Sequence, residues 1–300
     1  MRERILLSTC LNHRVSGLVD IAIAMEELRP SLILYAYNIL GSYEDAKDVV
    51  QDVFLKFSQH DLSIVQDQKL YLIRMVVNLA IDRKRRQKRQ RADYPGQWLP
   101  EPFATDDPET TVQRKQILSY SLMVLLEKLD SKQRAVFILK EAFDYSHEDI
   151  ARVLGITVEN SRKVLSRAKD ELQNVPARGA FQHDAVQQYL AVLEKGDMRA
   201  LERMLSDEVT VISDGGGKVA AFMNIIEGIQ SVSALLAGLY KKIYRETETR
   251  PGLVNHQPAL FYYVNGQLVT CQIFGWDNGR LKDIFFVRNP DKMSTLKKNI

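Results

Sequence analysis

Cysteine is nearly absent from this sequence. Of its 300 residues only Cys10 and Cys271 are cysteines, and they lie far apart in the chain. Two distant cysteines supply neither a disulfide framework nor the closely spaced pairs of a structural zinc site. We therefore expect a reducing, cytoplasmic environment and no metal site.

Long apolar runs are also missing. The longest, LYLIRMVVNLAI at 70–81, is too short to span a bilayer and contains Arg74 and Asn78. The early apolar stretch GLVDIAIAM is broken by Asp20, and no clear cleavage site follows it. We expect neither a membrane segment nor a signal peptide.

Charge is present in both signs but is unevenly distributed. The net charge is only +3, yet residues 83–91 (RKRRQKRQR) contain seven basic side chains in nine positions. Such a block repels itself unless an anion lies beside it, and it continues a predicted helix, so phosphate contact is favoured over a solvated surface.

Residues 92–113 instead hold four prolines, five acidic residues and no basic one. Because closely spaced prolines interrupt helices, we predict an extended acidic linker between two domains.

Helical periodicity dominates the first half of the chain. Residues 43–57 place apolar side chains at the 3.6-residue period, and Ser42 with Asp45 suggests a capping box before them. An acidic strip on another face of this helix is, taken alone, typical of a solvated surface. In the helix that follows, Arg74, Asn78 and Asp82 recur every four residues and form one polar stripe.

Residues 146–172 predict two helices joined by a short turn. Ser146 with Asp149 suggests a second capping box, Gly155 supplies the turn, and Thr157 caps the longer helix. The outer face of that longer helix is polar and basic. This pattern is typical of a helix-turn-helix, and it favours DNA binding over an ordinary helical hairpin.

Beyond a second boundary at 176–179 the pattern changes. Asn-Gly turns between apolar runs are strong hairpin signals, so this part is predicted to be an α+β domain with a curved antiparallel sheet covered by helices. The predicted helices are 181–195, 197–205 and 228–242, and the predicted strands are 208–213, 259–264, 267–276 and 280–287.

The stretch DGGGK at 214–218 is similar to a phosphate-binding loop only at first sight. Its glycines are adjacent, and Val219 follows Lys218 where such a loop needs a hydroxyl for magnesium. Three glycines exceed what a hairpin turn requires, but they permit close approach of the backbone to a neighbouring surface.

Three segments in this order resemble regions 2 and 4 of bacterial RNA polymerase sigma factors: 41–57, 71–86 and 146–172. The resemblance is to the extracytoplasmic-function group, which has only these two regions. The last domain resembles a SnoaL-like cone. The DGGGK stretch, together with NPDK at 289–292, is similar to the subfamily that carries such a domain.

The resemblance implies a multidomain fold, with two all-α sigma domains followed by an α+β SnoaL-like cone. The implied parts are an N-terminal extension of unknown role (1–22), region 2 as a helical bundle (23–91), the acidic linker (92–113), region 4 with its helix-turn-helix (114–175), and the C-terminal domain (180–293).

The resemblance also implies a function, namely binding core RNA polymerase and directing initiation at promoter DNA, without catalysis, cofactor or membrane. The loop at 58–69 would hold a flipped base, and the linker would thread a basic polymerase channel. The implied polymerase-binding residues are Asp48, Gln51, Asp52 and Leu55. The minus-ten element would be bound by Tyr71, Arg74, Asn78, Asp82, Arg85 and Arg86, and the minus-thirty-five element by Glu159, Asn160, Arg162, Lys163 and Arg167.

The C-terminal motifs are implied to make an intramolecular contact that controls activity, with no separate anti-sigma factor required. The residues of this contact are Asp214, Gly215, Gly216, Gly217, Lys218, Asn289, Pro290, Asp291 and Lys292. We expect the domain to clamp regions 2 and 4 in one relative orientation.

A second interpretation stays open at this stage. The cone could be a catalytic module of the cyclase or isomerase kind, or could bind an unidentified small ligand, fused to a DNA-binding regulator. Its acid–base candidates are His256, Asp214 and Asp283, with Tyr262 and Tyr263 lining the pocket. Convergence of these side chains would favour this alternative.

Overall fold

The computed structural model describes residues 25–59, 67–105, 116–172 and 184–296. The predicted N-terminal extension, most of the 58–69 loop and the end of the linker lie outside these residues. None of the described helices is both long and apolar enough to cross a membrane.

Seven helices form the first half of the described chain. They are α1 (25–40), α2 (Tyr43–Ser58), α3 (Gln68–Gln90), α4 (Tyr120–Leu125), α5 (Ser131–Glu141), α6 (His147–Leu154) and α7 (Val158–Leu172). Region 2 comprises α1–α3 and region 4 comprises α4–α7.

The predicted capping boxes are only half formed. Ser42 and Ser146 do accept hydrogen bonds from the backbone N–H groups of Asp45 and Asp149. The Asp45 carboxylate, however, turns away to pair with Arg83 of α3 at 2.5 Å, so it does not complete the box. A complete capping box starts α5 instead, between Asp130 and Gln133.

Regions 2 and 4 share one hydrophobic core. Helix α3 is buried against α2 on one side and against α5 and α6 on the other. Val76 of α3, Phe137 of α5 and Ile150 of α6 are all buried in this core. The promoter-binding helix predicted from the sequence therefore lies next to the helix-turn-helix.

The C-terminal part has the predicted α+β fold. Six strands follow the order β2-β1-β6-β5-β4-β3. Strands β1 and β6 pair in parallel and the other neighbours pair antiparallel, so the sheet is mixed. The elements are α8 (Asp184–Lys195), α9 (Met198–Met204), β1 (Leu205–Asp214), β2 (Ile226–Glu227), α10 (Ile229–Leu239) with a π-helical turn (Tyr240–Tyr244), β3 (Glu248–Val254), β4 (Gln257–Val264), β5 (Gln267–Asp277) and β6 (Arg280–Val287).

Both faces of this sheet are apolar. The inner face, which carries Phe274 of β5, packs on α8, α9 and α10. The outer face, which carries Ile273 and Phe285, packs on Leu99 of the linker and on Tyr120 of α4. The linker and region 4 therefore cover the outer face of the sheet. Burial of this apolar surface stabilises the folded chain.

Candidate functional site

The buried carboxylate of Asp214, at the end of β1, accepts four hydrogen bonds. Tyr94 Oη donates to Oδ1 at 2.6 Å, and the Leu99 backbone N–H donates to Oδ2 at 2.9 Å. The Gly216 N–H donates at 2.9 Å and Lys292 Nζ at 2.5 Å. A buried charge is tolerated when it is paired and hydrogen bonded in this way. Two of the donors belong to the linker, so Asp214 fastens the linker to the cone.

Lys292 makes the second half of this attachment. Its Nζ also donates to the Leu99 carbonyl at 2.6 Å and lies 4.1 Å from the centre of the Trp98 ring. Burial lowers the pKa of Lys292 to about 8, although the Asp214 carboxylate opposes this shift. The ammonium group therefore replaces its lost water with a carboxylate, a carbonyl and an aromatic face.

The three glycines of the loop each avoid a specific collision. Gly216 has φ +63, and a Cβ there would lie 2.3 Å from the amide of Asn289. Gly217 has φ +70, and its Cβ would lie 2.6 Å from Cγ of Pro95 in the linker. A Cβ on Gly215 would lie 2.2 Å from a backbone carbonyl of the loop. The loop is thus a surface for close approach to the linker and to the NPDK segment.

The other charged motif residues have a different environment. Lys218 and Asp291 pair with each other at 2.5 Å, and both side chains are more than half exposed. Pro290 is partly exposed. Exposed ion pairs contribute little to stability, so within the motif the Asp214–Lys292 pair is the structural attachment.

Glu101 attaches the linker to region 2. Its carboxylate is 3% exposed, and Oε2 accepts from the Tyr43 N–H at 2.7 Å and from Ser42 Oγ at 3.1 Å, at the first turn of α2. Burial raises the pKa of Glu101, while these donors oppose the shift. A carboxylate at a helix N-terminus is stabilised by the helix dipole. In the sequence Glu101 counted only as one more acidic linker residue.

Glu127, between α4 and α5, joins region 4 to the basic helix of region 2. It pairs with Lys84 of α3 and with Arg91, directly after α3, each at 2.7 Å, and with the buried Arg134. The guanidinium of Arg91 also lies 3.2 Å from the ring centre of Trp98. Burial acts to raise the pKa of Glu127, but Arg134, Lys84 and Arg91 outweigh it and hold the pKa at about 2.

Comparison with known proteins agrees with this architecture. The sigma-70 region 2 family matches residues 24–90, and the sigma-70 region 4 family matches residues 119–172. The extracytoplasmic-function RNA polymerase sigma factor SigJ of Mycobacterium tuberculosis is 28% identical over 296 residues, which cover 90% of this chain and 92% of SigJ. The crystal structure of SigJ matches with a TM-score of 0.73 at 26% identity, covering 91% of this chain and 98% of that one.

The chain belongs to the extracytoplasmic-function sigma factors. It is accordingly a promoter-directing factor of transcription initiation. A second relative, the probable sigma factor SigI of Mycobacterium tuberculosis, is 22% identical over 277 residues, which cover 90% of this chain and 93% of SigI.

In this sigma factor the predicted minus-ten helix faces region 4. Asn78 Nδ2 donates to the Val153 carbonyl of α6 at 3.1 Å. The guanidinium of Arg74 lies 4.0 Å from the position that a Cβ would take on Gly155, in the helix-turn-helix turn. Tyr71 is partly buried, and the remaining predicted minus-ten residues, Asp82, Arg85 and Arg86, are exposed.

The basic block of the sigma factor divides into two sets. Lys84 and Arg91 are used by the Glu127 cluster, and Arg83 pairs with Asp45 and with Asp48 of α2. The cations that stay exposed are Arg85, Arg86, Lys88 and Arg89. In the sequence these residues form one basic block, because nine consecutive polar residues give no sign of which side chains are buried.

The residues predicted to meet polymerase and the minus-thirty-five element all lie at the surface. Leu55 is 56% exposed, which is unusual for a leucine on an amphipathic helix. The other exposed residues are Asp48, Gln51 and Asp52 on α2, and Glu159, Asn160, Arg162, Lys163 and Arg167 on α7. Their roles stay predictions.

The acid–base candidates of the C-terminal domain do not converge. Tyr262 points to the inner face and donates to Gln272, whereas Asp214 is bound by the linker. Asp283 faces α4, where Ser121 is a hydrogen-bond partner. His256 lies in the β3–β4 turn, and Tyr263 stacks against a surface arginine. The arrangement gives no support to acid–base catalysis by this set.

Proposed function

We propose that this sigma factor is held closed by its own C-terminal domain, and that it directs initiation once core RNA polymerase and promoter DNA draw region 4 away from region 2. By closed we mean the arrangement in which α6 packs on α3. The observation that carries the proposal is the linker, which is fastened to region 2 by Glu101 and to the cone by Asp214 and Lys292.

The closed arrangement is too compact to contact both promoter elements. The two elements lie roughly 25 base pairs apart, or about 85 Å along B-DNA at 3.4 Å per base pair. Packed helices have axes about 10 Å apart, and α7 is separated from α3 only by the helices that both contact. Simultaneous binding of both elements therefore requires the regions to separate.

Part of the predicted minus-ten surface is also engaged internally. The amide of Asn78, a predicted base reader, donates to the Val153 carbonyl in the closed arrangement. An amide bound to a backbone carbonyl offers fewer donors to a base edge. Opening would release it.

The predicted polymerase surface, in contrast, is accessible while the chain is closed. Asp48, Gln51, Asp52 and Leu55 form an exposed strip on α2, beyond the first turn to which the linker is attached. Acidic side chains on such a strip steer association with a basic partner surface. Core polymerase could thus dock first and promoter opening follow, and the internal contacts would do the work of a separate anti-sigma factor.

In vitro transcription with bacterial core polymerase tests this function. The promoter is one selected from a randomised DNA pool by the holoenzyme, and the variants are Lys292→Met and, as a matched control, Lys218→Met. The first breaks a buried pair and the second an exposed one. We expect Lys292→Met to raise the initial rate of promoter binding, Lys218→Met to leave it unchanged, and a chain ending at Asn174 to mark the fully released limit. Equal rates for all of these chains would contradict control by the C-terminal domain.

A further inference from the structure

The turn between β3 and β4 contains a buried asparagine that no sequence motif marks. Asn255 and His256 have φ +48 and +61, as in a two-residue hairpin turn. Two further hairpin turns of this domain start with Asn265 and Asn278 at φ +51 and +49, and both of those are exposed. Asn255 is 0% exposed. Turn geometry explains the asparagine in all three places but does not explain the burial.

The hydrogen bonds of Asn255 explain it. Nδ2 donates to Tyr37 Oη of α1 at 2.9 Å and to the Leu118 carbonyl, just before α4, at 3.0 Å. Oδ1 accepts from the Phe103 N–H of the linker at 2.9 Å, and the Asn255 N–H donates to the Phe103 carbonyl at 2.9 Å. One side chain of the C-terminal domain thus binds region 2, the linker and region 4.

The geometry of an amide makes this contact specific. An asparagine amide has two N–H donors and one carbonyl acceptor in a single plane, and in this arrangement each has a partner in a different part of the chain. Rotating region 4 relative to region 2 would leave a buried donor or acceptor unpaired, which is unfavourable. When the regions separate fully, Asn255 becomes a solvated hairpin residue like Asn265 and Asn278.

We propose that Asn255 is the positioning residue that fixes region 2, the linker and region 4 in the closed arrangement, and that its loss opens the chain without unfolding the C-terminal domain. This inference rests on the proposed function only for its consequence on promoter use. The effect on the distance between regions 2 and 4 is independent of it.

The test is a distance measurement on the full chain. Spin labels are attached to cysteines introduced at Ser58 of α2 and Asp170 of α7, both exposed, with Cys10 replaced by serine and the buried Cys271 retained. Asn255→Gly keeps the positive φ and removes the amide, and Asn265→Gly and Asn278→Gly are the matched controls. We expect Asn255→Gly to lengthen and broaden the distance distribution, and the controls to keep the parent one. Removing these three side-chain hydrogen bonds predicts at least a roughly tenfold increase in the open fraction.

A second variant separates release from misfolding. Asn255→Asp retains the acceptor for the Phe103 N–H and for Tyr37 Oη, which lies 3.2 Å from Oδ1, but it loses the N–H that binds the Leu118 carbonyl of region 4. It should therefore lengthen the distance while the linker stays attached. Protection of β5 and β6 amides from hydrogen exchange should equal that of the parent in both variants. Unchanged distances in both, or loss of that protection in both, would overturn the proposal. Longer distances with unchanged promoter binding would support the role of Asn255 and contradict the proposed control of promoter use by closure.

Discussion

Asp214 and Lys218 belong to the same five-residue motif, yet they have opposite environments. The Asp214 carboxylate is inaccessible to solvent and paired with Lys292, whereas the pair of Lys218 with Asp291 is exposed. Breaking a buried pair leaves an uncompensated charge, which typically costs about 3–5 kcal/mol, while an exposed pair contributes about 0–1 kcal/mol. At the scale of single residues, the motif therefore divides into a buried attachment and a solvated rim.

Gly217→Ala tests the close approach of the loop to the linker. The alanine is strained at φ +70, and its Cβ would meet Pro95 at 2.6 Å. Gly266→Ala is the control, because it has a similar φ of +73 and nothing within 4 Å. In urea unfolding we expect a loss of about 1 kcal/mol for Gly266→Ala and at least about 2 kcal/mol for Gly217→Ala. Equal losses of unfolding free energy in the two variants would show that the linker moves away from the added methyl group at no cost in stability.

Glu127→Gln tests the cationic cluster through pH. Because the pKa of Glu127 is about 2 in the folded chain against 4.5 ordinarily, its stabilisation is present above pH 4.5 and is lost as the pH falls toward 2. In the parent this loss is on the order of 3 kcal/mol. We expect the free energy of unfolding of Glu127→Gln to fall less steeply across that window. Glu141→Gln, which removes a partly exposed partner of Lys169, is the control and should keep the parent slope.

At the scale of elements, the sequence predicted those helices and strands that depend on neighbouring residues alone. The amphipathic helices α2 and α7 and the strands β4, β5 and β6 follow from periodicity and Asn-Gly turns. Strand β3 was missed because its sequence ETRPGLV is polar at one end and contains Pro251, which is tolerated because β3 lies at the sheet edge. The parallel pairing of β1 with β6 was missed because pairing direction depends on residues distant in sequence.

The acidic strip of α2 gives a prediction for that helix as a whole. Asp52→Lys reverses a charge on an exposed face, so we expect at least a roughly tenfold loss of affinity for core polymerase with an unchanged melting temperature. Glu44→Lys, at an exposed acid at the start of the same helix and outside the strip, is the matched control and should bind as the parent does. Both quantities come from fluorescence anisotropy and thermal unfolding of the same preparations. Equal affinities for the two variants would move the polymerase surface away from the strip.

At the scale of the whole molecule, the contacts that close the chain join residues that are far apart in sequence. Asn255 meets Tyr37 across 218 positions, and Asp214 meets Tyr94 across 120. A single sequence does not indicate such pairs, because the buried turn residue Asn255 cannot be told from the exposed turn residues Asn265 and Asn278 by residue type. The motif residues were proposed because of a family resemblance, whereas Glu101, Glu127 and Asn255 were found only from their partners.

The division of the basic block leads to a prediction for promoter binding by the whole chain. If Arg85, Arg86, Lys88 and Arg89 contact phosphates, changing all four to glutamine should reduce the slope of log affinity against log salt by about 3–4, because each phosphate contact contributes about 0.9. Lys84→Met removes a cation that is buried against Glu127, so it should keep the parent slope while raising affinity by loosening region 4. A slope reduced by about one in Lys84→Met would show that Lys84 reaches a phosphate in the open complex, and the Glu127 cluster would then compete directly with DNA.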